Sequence, residues 1–109
     1  MIMEKSSFVL VFGNSPFVRV LDFFLNFDNF DYSIAQIAKE TETKWESVVK
    51  CVEVLMKKKI VKKTRKVGKA QLYMVNKESP LTGLLEDIDM KISDFFVKKE
   101  LGRQKVVVG

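Results

Sequence analysis

Residues 32–75, YSIAQIAKETETKWESVVKCVEVLMKKKIVKKTRKVGKAQLYMV, decide the fold of this chain. Ser33 and Gln36 have the S-x-x-Q spacing of a capping box, in which each side chain bonds the other residue's backbone N–H. The short helix that follows turns Ile34, Ile37 and Ala38 to one side. Thr41–Glu42–Thr43 is a tight polar connection, and Thr43 with Glu46 repeats the pattern as T-x-x-E. The spacing then predicts a helix to about Lys58, with Val48, Val52, Leu55 and Met56 on one face. Trp45 falls in helical register with Val49 and Val52 and is read first as core, with stacking on DNA as the alternative. Two short capped helices joined by a three-residue polar turn make a helix-turn-helix.

The second half of the stretch changes period. Ile60–Arg65 and Ala70–Val75 are strand-like runs around Lys66–Val67–Gly68–Lys69, and Leu72 and Met74 alternate with Gln71 and Tyr73. A short glycine-containing connection between two such runs reads as a β-hairpin.

Outside this stretch, Phe8–Phe12 is a short apolar run ended by Gly13–Asn14, expected as a strand or extended arm. Ser15–Pro16 is an N-cap followed by proline at the first helical position. It opens a helix to about Phe27 with Phe17, Val20, Leu21, Phe24 and Leu25 inward and Arg19, Asp22 and Asn26 on the other side. Ser79–Pro80 repeats that start signal for a last helix to about Glu100. Its apolar stripe contains Leu81, Leu84, Leu85, Ile88, Ile92, Phe95 and Phe96. The tail from Gly102 is expected as a loose strand or a disordered end. The expected fold class is therefore α+β and mostly helical: a winged helix-turn-helix with a two-stranded wing and an additional C-terminal helix. Residues 1–79 form the winged unit with its N-terminal arm. Residues 80–109 form a helix and tail serving as the dimerisation element of a single compact domain.

Charge adds a function to this order. The net charge is +5, but residues 1–42 carry three basic and six acidic side chains, and residues 80–109 carry five of each. Residues 43–79 carry eleven basic and three acidic. Eight of those cations fall between Lys57 and Lys69 with no acidic residue among them. A local positive patch calls for a polyanionic partner. Complementing a helix C-terminal dipole explains Lys57–Lys59 but not the hairpin charges, and lysines also blunt an exposed edge strand. A major groove about 12 Å wide admits an α-helix and presents the sequence code, while flanking phosphates are held by lysine and arginine. The candidate DNA-binding residues are Lys44, Ser47 and Lys50 on the third helix and Lys62, Lys63, Arg65, Lys66 and Lys69 on the hairpin. Lys50 is the first choice for entry into the groove, and Glu46 is read as a cap partner.

Several classes are excluded. There is no histidine, and the single cysteine, Cys51, permits neither an internal disulfide framework nor a cysteine-cluster metal site. Cys51 is read as a buried structural thiol. The hydroxyls and carboxylates have no histidine partner and no glycine-rich phosphate loop, so no enzyme and no cofactor are expected. No apolar run approaches bilayer-spanning length and the N-terminus does not read as a signal peptide, so a cytoplasmic protein with no membrane partner is expected. Nine phenylalanines and the apolar last helix suggest a homodimer through Leu85, Ile88, Ile92, Phe95 and Phe96. Folding of that helix back onto its own domain is the alternative for part of the stripe.

Residues 12–81, about two-thirds of the chain, resemble archaeal winged-helix regulators of the broad ArsR/MarR-like class. The resemblance rests on FGNSPFVRVLDFFL, DYSIAQIAKET, VLMKKKIVKKTRKVGKAQLYMVN and NKESPL. Its most specific part is the helix end V-L-x-x-x-x-I-V with a basic wing closing on L-Y. The chain departs from the class where KWESVVK replaces the usual small hydroxyl run of the recognition helix. The resemblance implies a sequence-specific transcriptional regulator that binds double-stranded DNA and dimerises through its terminal segments. Metal sensing, known for some relatives, has no ligand set here. The competing readings are a winged-helix protein-interaction module in a transcription or repair assembly, and RNA or non-specific nucleic-acid binding. Few solvent-side aromatics surround the basic patch, which disfavours single-strand stacking platforms.

Overall fold

Ser6 opens the first helix rather than a strand. In the computed structural model, which describes residues 6–108 and the side chains of residues 6–99, its hydroxyl accepts from the Val9 N–H at 3.2 Å. Helix α1 spans Ser7–Phe12 and ends at Gly13, whose φ of 99° suits glycine. The expected strand over Phe8–Phe12 is thus corrected. Five apolar residues do not distinguish the two periods by themselves; a serine cap before them and a glycine after them do.

Helix α2, Pro16–Asn26, starts as expected on the Ser15 cap. It buries Val20, Leu21, Phe23, Phe24 and Leu25. Phe23 joins the expected face because it meets Phe24, Phe27 and Tyr32, with ring centroids 4.8 to 5.8 Å apart. A two-residue strand β1, Tyr32–Ser33, leads into α3, Ile34–Thr41. The Ser33–Gln36 capping box is formed in both directions, at 3.2 and 2.8 Å.

Two helix ends then use the same device. Helix α3 stops at Glu42, which takes a left-handed conformation while the Glu42 and Thr43 N–H groups donate back to Lys39 and Ala38. Helix α4, Trp45–Lys57, stops at Lys58–Lys59. Lys59 is left-handed, and the Lys59 and Ile60 N–H groups donate to Met56 and Leu55. This is the Schellman arrangement, in which two backward bonds satisfy the last carbonyls and an apolar residue after the end meets one in the last turn. Ile60 and Leu55 are both buried.

The hairpin consists of β2, Val61–Val67, and β3, Ala70–Val75, and the sheet order is β1-β3-β2, all antiparallel. Val61 pairs with Val75 and Val67 with Ala70, leaving a two-residue turn of Gly68 and Lys69, with Gly68 at φ 62°. The expected loop is therefore shorter, because Lys66 and Val67 belong to the strand. The register shifts between Lys63 and Lys66, so Thr64 and Arg65 together stand opposite Leu72 as a bulge. The bulge bends the strand. Tyr73 and Val75 pack with the main core, while Leu72, of the opposite parity, is buried outside it.

Helix α5, Pro80–Val108, continues beyond the expected end and replaces the expected strand or disordered tail. Gly102 costs a helix about 1 kcal/mol, which does not stop it when Arg103, Gln104 and Lys105 follow. The start of α5 packs against the winged unit. Thr82 is fully buried with its hydroxyl 3.5 Å from the Ile60 carbonyl, and Leu85 packs on the core. Cys51 lies in the α4 core face as a free thiol, and burial pushes its pKa up. Among the described residues no helix is long and apolar enough to cross a membrane. The result is a mostly helical α+β winged helix-turn-helix, whose two-stranded wing gains β1 as a third strand.

Candidate nucleic-acid interface

The helix-turn-helix is held in position by Arg19. Its Nε donates to the Thr41 carbonyl at 3.0 Å, its Nη2 to the Thr43 hydroxyl at 3.0 Å, and its Nη1 to the Asn14 carbonyl at 2.6 Å. Thr43 in turn donates to the Thr41 carbonyl at 3.0 Å. The expected Thr43–Glu46 capping box is therefore not formed. Thr43 is buried in the turn, the cap position belongs to Lys44, and no side chain caps α4.

The exposed surface of α4 follows from its buried face. Val48, Cys51, Val52 and Leu55 point inward. Lys44, Glu46, Lys50 and Glu53 are exposed, and Ser47 is half-buried. Trp45 is 54% exposed, which corrects its assignment to the core. Its helical angle is near that of Val52, but the first buried residue of α4 is Val48, one turn later.

The wing lysines Lys62, Lys63, Lys66 and Lys69 are all exposed. None has a carboxylate within ion-pair distance among the described residues. Arg65 differs. It sits in the bulge, and its Nε lies 3.0 Å from Asp31 Oδ2, which also accepts from the Thr64 hydroxyl at 2.6 Å. Arg65 first and Thr64 second hold the Asp31 carboxyl below its usual range. Asp31 thus fastens the bulge of the wing to the loop before β1. Sequence reasoning missed both Arg19 and Asp31. Each is one polar residue whose bonds to the turn or the wing span 22 to 34 positions, with no local pattern to announce them.

The apolar residues of α5 divide between two environments. Leu85 faces the core, while Ile88 and Phe95 are exposed and Ile92 and Phe96 half-buried. Ile88, Ile92, Phe95 and Phe96 form an open apolar groove with Val11 of α1, edged by Lys91. Leu10 and Phe12 of α1 are also exposed.

No protein-family model and no curated protein matches the sequence. Solved structures do share the fold. The chain is similar to MepR from Staphylococcus aureus, a transcription regulator of the multidrug efflux pump MepA, with a TM-score of 0.64 at 12% identity over 82% of this chain and 64% of that one. It is similar to the adhesin competence repressor AdcR of Streptococcus pyogenes, with a TM-score of 0.63 at 10% identity over 80% of this chain and 63% of that one. A doubly substituted ZitR of Lactococcus lactis in its apo form gives 0.61 at 16% identity, over 92% and 81%. The chain spans somewhat under two-thirds of the length of the AdcR and MepR chains.

Proposed function

We propose that this chain is a double-stranded DNA-binding transcriptional regulator, not an enzyme. In this reading α4 enters the major groove and the wing lies on flanking phosphates. One observation carries it. Lys62, Lys63, Lys66 and Lys69 leave the wing of a winged helix-turn-helix with four exposed cations and no carboxylate partner among the described residues. Exposed Lys44 and Lys50 extend that charge onto the helix that docks in such folds. A protein-interaction module has no need of such a wing. The fold likeness to regulators such as MepR and AdcR supports the same reading.

The protein acts as a homodimer in this proposal, with residues 80–109 as the dimerisation element. The apolar groove of α1 and α5 supports it, since a second copy would cover Ile88, Ile92, Phe95 and Phe96. Two-fold symmetry then implies a pseudo-palindromic site, with half-sites about 10 base pairs apart or a multiple of that.

The test is duplex affinity against salt. Each neutralised phosphate contributes a slope of about 0.9 in log affinity against log salt. A steep slope is expected; a shallow one, or no duplex binding at low salt, refutes DNA binding.

A further inference from the structure

The only tryptophan of the chain stands on the first turn of α4, over half exposed, between exposed Lys44 and Glu46. A tryptophan is highly buried on average, so an indole left in water at this position calls for a partner. Side chains of a helix lean toward its N-terminus, so the indole reaches past the first turn of α4. In helix-turn-helix docking the N-terminal residues of this helix meet the base edges. The indole is an apolar surface carried by a helix whose nearby exposed side chains include the cations Lys44 and Lys50. A partner that suits both features is polyanionic and has apolar groups where the helix end arrives. In the major groove that apolar group is the C5-methyl of thymine.

We propose that Trp45 is a specificity-determining residue that reads thymine methyl groups in the major groove. The inference rests on the DNA-binding reading above and deepens it. It also supplies a base reader to a helix whose other exposed side chains are mainly charged. Lys44 and Lys50 suit phosphate or guanine contact, whereas Trp45 discriminates by apolar contact and makes thymine-bearing steps the preferred ones.

The experiment uses the full chain and a duplex selected by it from random sequences. Each thymine of that duplex is replaced in turn by deoxyuridine, which removes only the methyl group. At one or two positions the replacement is expected to weaken wild-type binding about fourfold, the value of one buried methyl-sized group. Trp45→Ala should bind the parent duplex more weakly and be indifferent to the same replacements. Because Trp45 is exposed, the variant keeps its fold, which its circular dichroism checks. The emission of the lone tryptophan gives a second readout and should change on adding duplex. Selective duplex binding that ignores every deoxyuridine, or a Trp45→Ala variant as methyl-sensitive as wild type, overturns this inference and leaves DNA binding standing. So does emission that shifts with protein concentration alone and not with DNA, which would assign the indole to a second copy of the chain. Absence of duplex binding at low salt overturns both.

Discussion

Arg19 and Thr43 join the first core helix to the turn of the helix-turn-helix: the guanidinium donates to the threonine hydroxyl from both Nε, at 3.3 Å, and Nη2, at 3.0 Å. The same arginine also holds the Thr41 carbonyl. One side chain of α2 therefore fixes where α3 ends and α4 begins, and so the direction in which α4 projects.

Replacing Arg19 by alanine should destabilise the protein by about 2 kcal/mol, the scale of hydrogen bonds to a charged group. Thr43→Val should cost about 1 kcal/mol. In the double variant the losses should be less than additive, because the two residues share one bond network. Denaturant unfolding of the four proteins measures this. Full additivity would mean that the contact contributes nothing.

The same pair explains what was legible in the sequence. Ser33–Gln36 and Thr43–Glu46 look alike in the chain, yet only the first forms a capping box. Its partners are local and free to meet. The Thr43 hydroxyl is engaged by an arginine 24 residues earlier, which no short-range spacing reveals. The element order, the hairpin and the inward face of α4 were readable because periodicity and turn residues are local signals. The helical state of Ser7–Phe12 was not, since helix and strand periods do not separate over so few residues. Trp45 was misread because a helical angle gives direction but not depth, and the core of α4 begins one turn beyond it. The wing cations were visible in the sequence, but the fastening of Arg65 to Asp31 required the fold.

That fastening ranks the wing residues. Lys66→Ala and Lys69→Ala should each reduce the salt slope of duplex binding by about 0.9 per protomer, about 1.8 for a bound dimer. Arg65→Ala should reduce it less, because Asp31 already balances the guanidinium. All three should act alike on every duplex sequence, since phosphate contacts carry no direct base information. An Arg65 effect as large as that of Lys66 would show that the arginine leaves Asp31 when DNA binds.

Asp89 and Asp22 make the stability of the protein depend on pH. Burial pushes the Asp89 carboxyl above its usual range. Burial does the same to Asp22, with the nearby Asp89 adding to the rise and bonds from Ser6 and Asn26 opposing it. A carboxyl whose folded value is raised favours the fold below its unfolded value, near 3.9, and loses that advantage as pH rises through the folded value. Asp89→Asn removes the buried charge. It should raise the melting temperature at pH 7, with the gain shrinking toward zero near pH 3. An equal gain at both pH values would trace the effect to packing instead.

Phe95 tests the dimer without disturbing the monomer. Its side chain is 60% exposed, beside Ile88, Ile92 and Val11 in the apolar groove and against Phe96 at a ring separation of 5.3 Å. A surface substitution of this kind changes folding stability by about 0.5 kcal/mol or less. Across a two-fold interface, Phe95→Glu would instead bring two like-charged carboxylates into an apolar seam, with only Lys91 at the edge of each groove to offset them. Sedimentation of the wild type at micromolar concentration should give a dimer, and of Phe95→Glu a monomer with an unchanged melting profile at low concentration. The monomer should also bind a single half-site with about half the salt slope, because half the phosphate contacts are lost. A variant that sediments like the wild type would remove this groove from the dimer interface. A wild type that is monomeric at high micromolar concentration would remove the stable dimer itself.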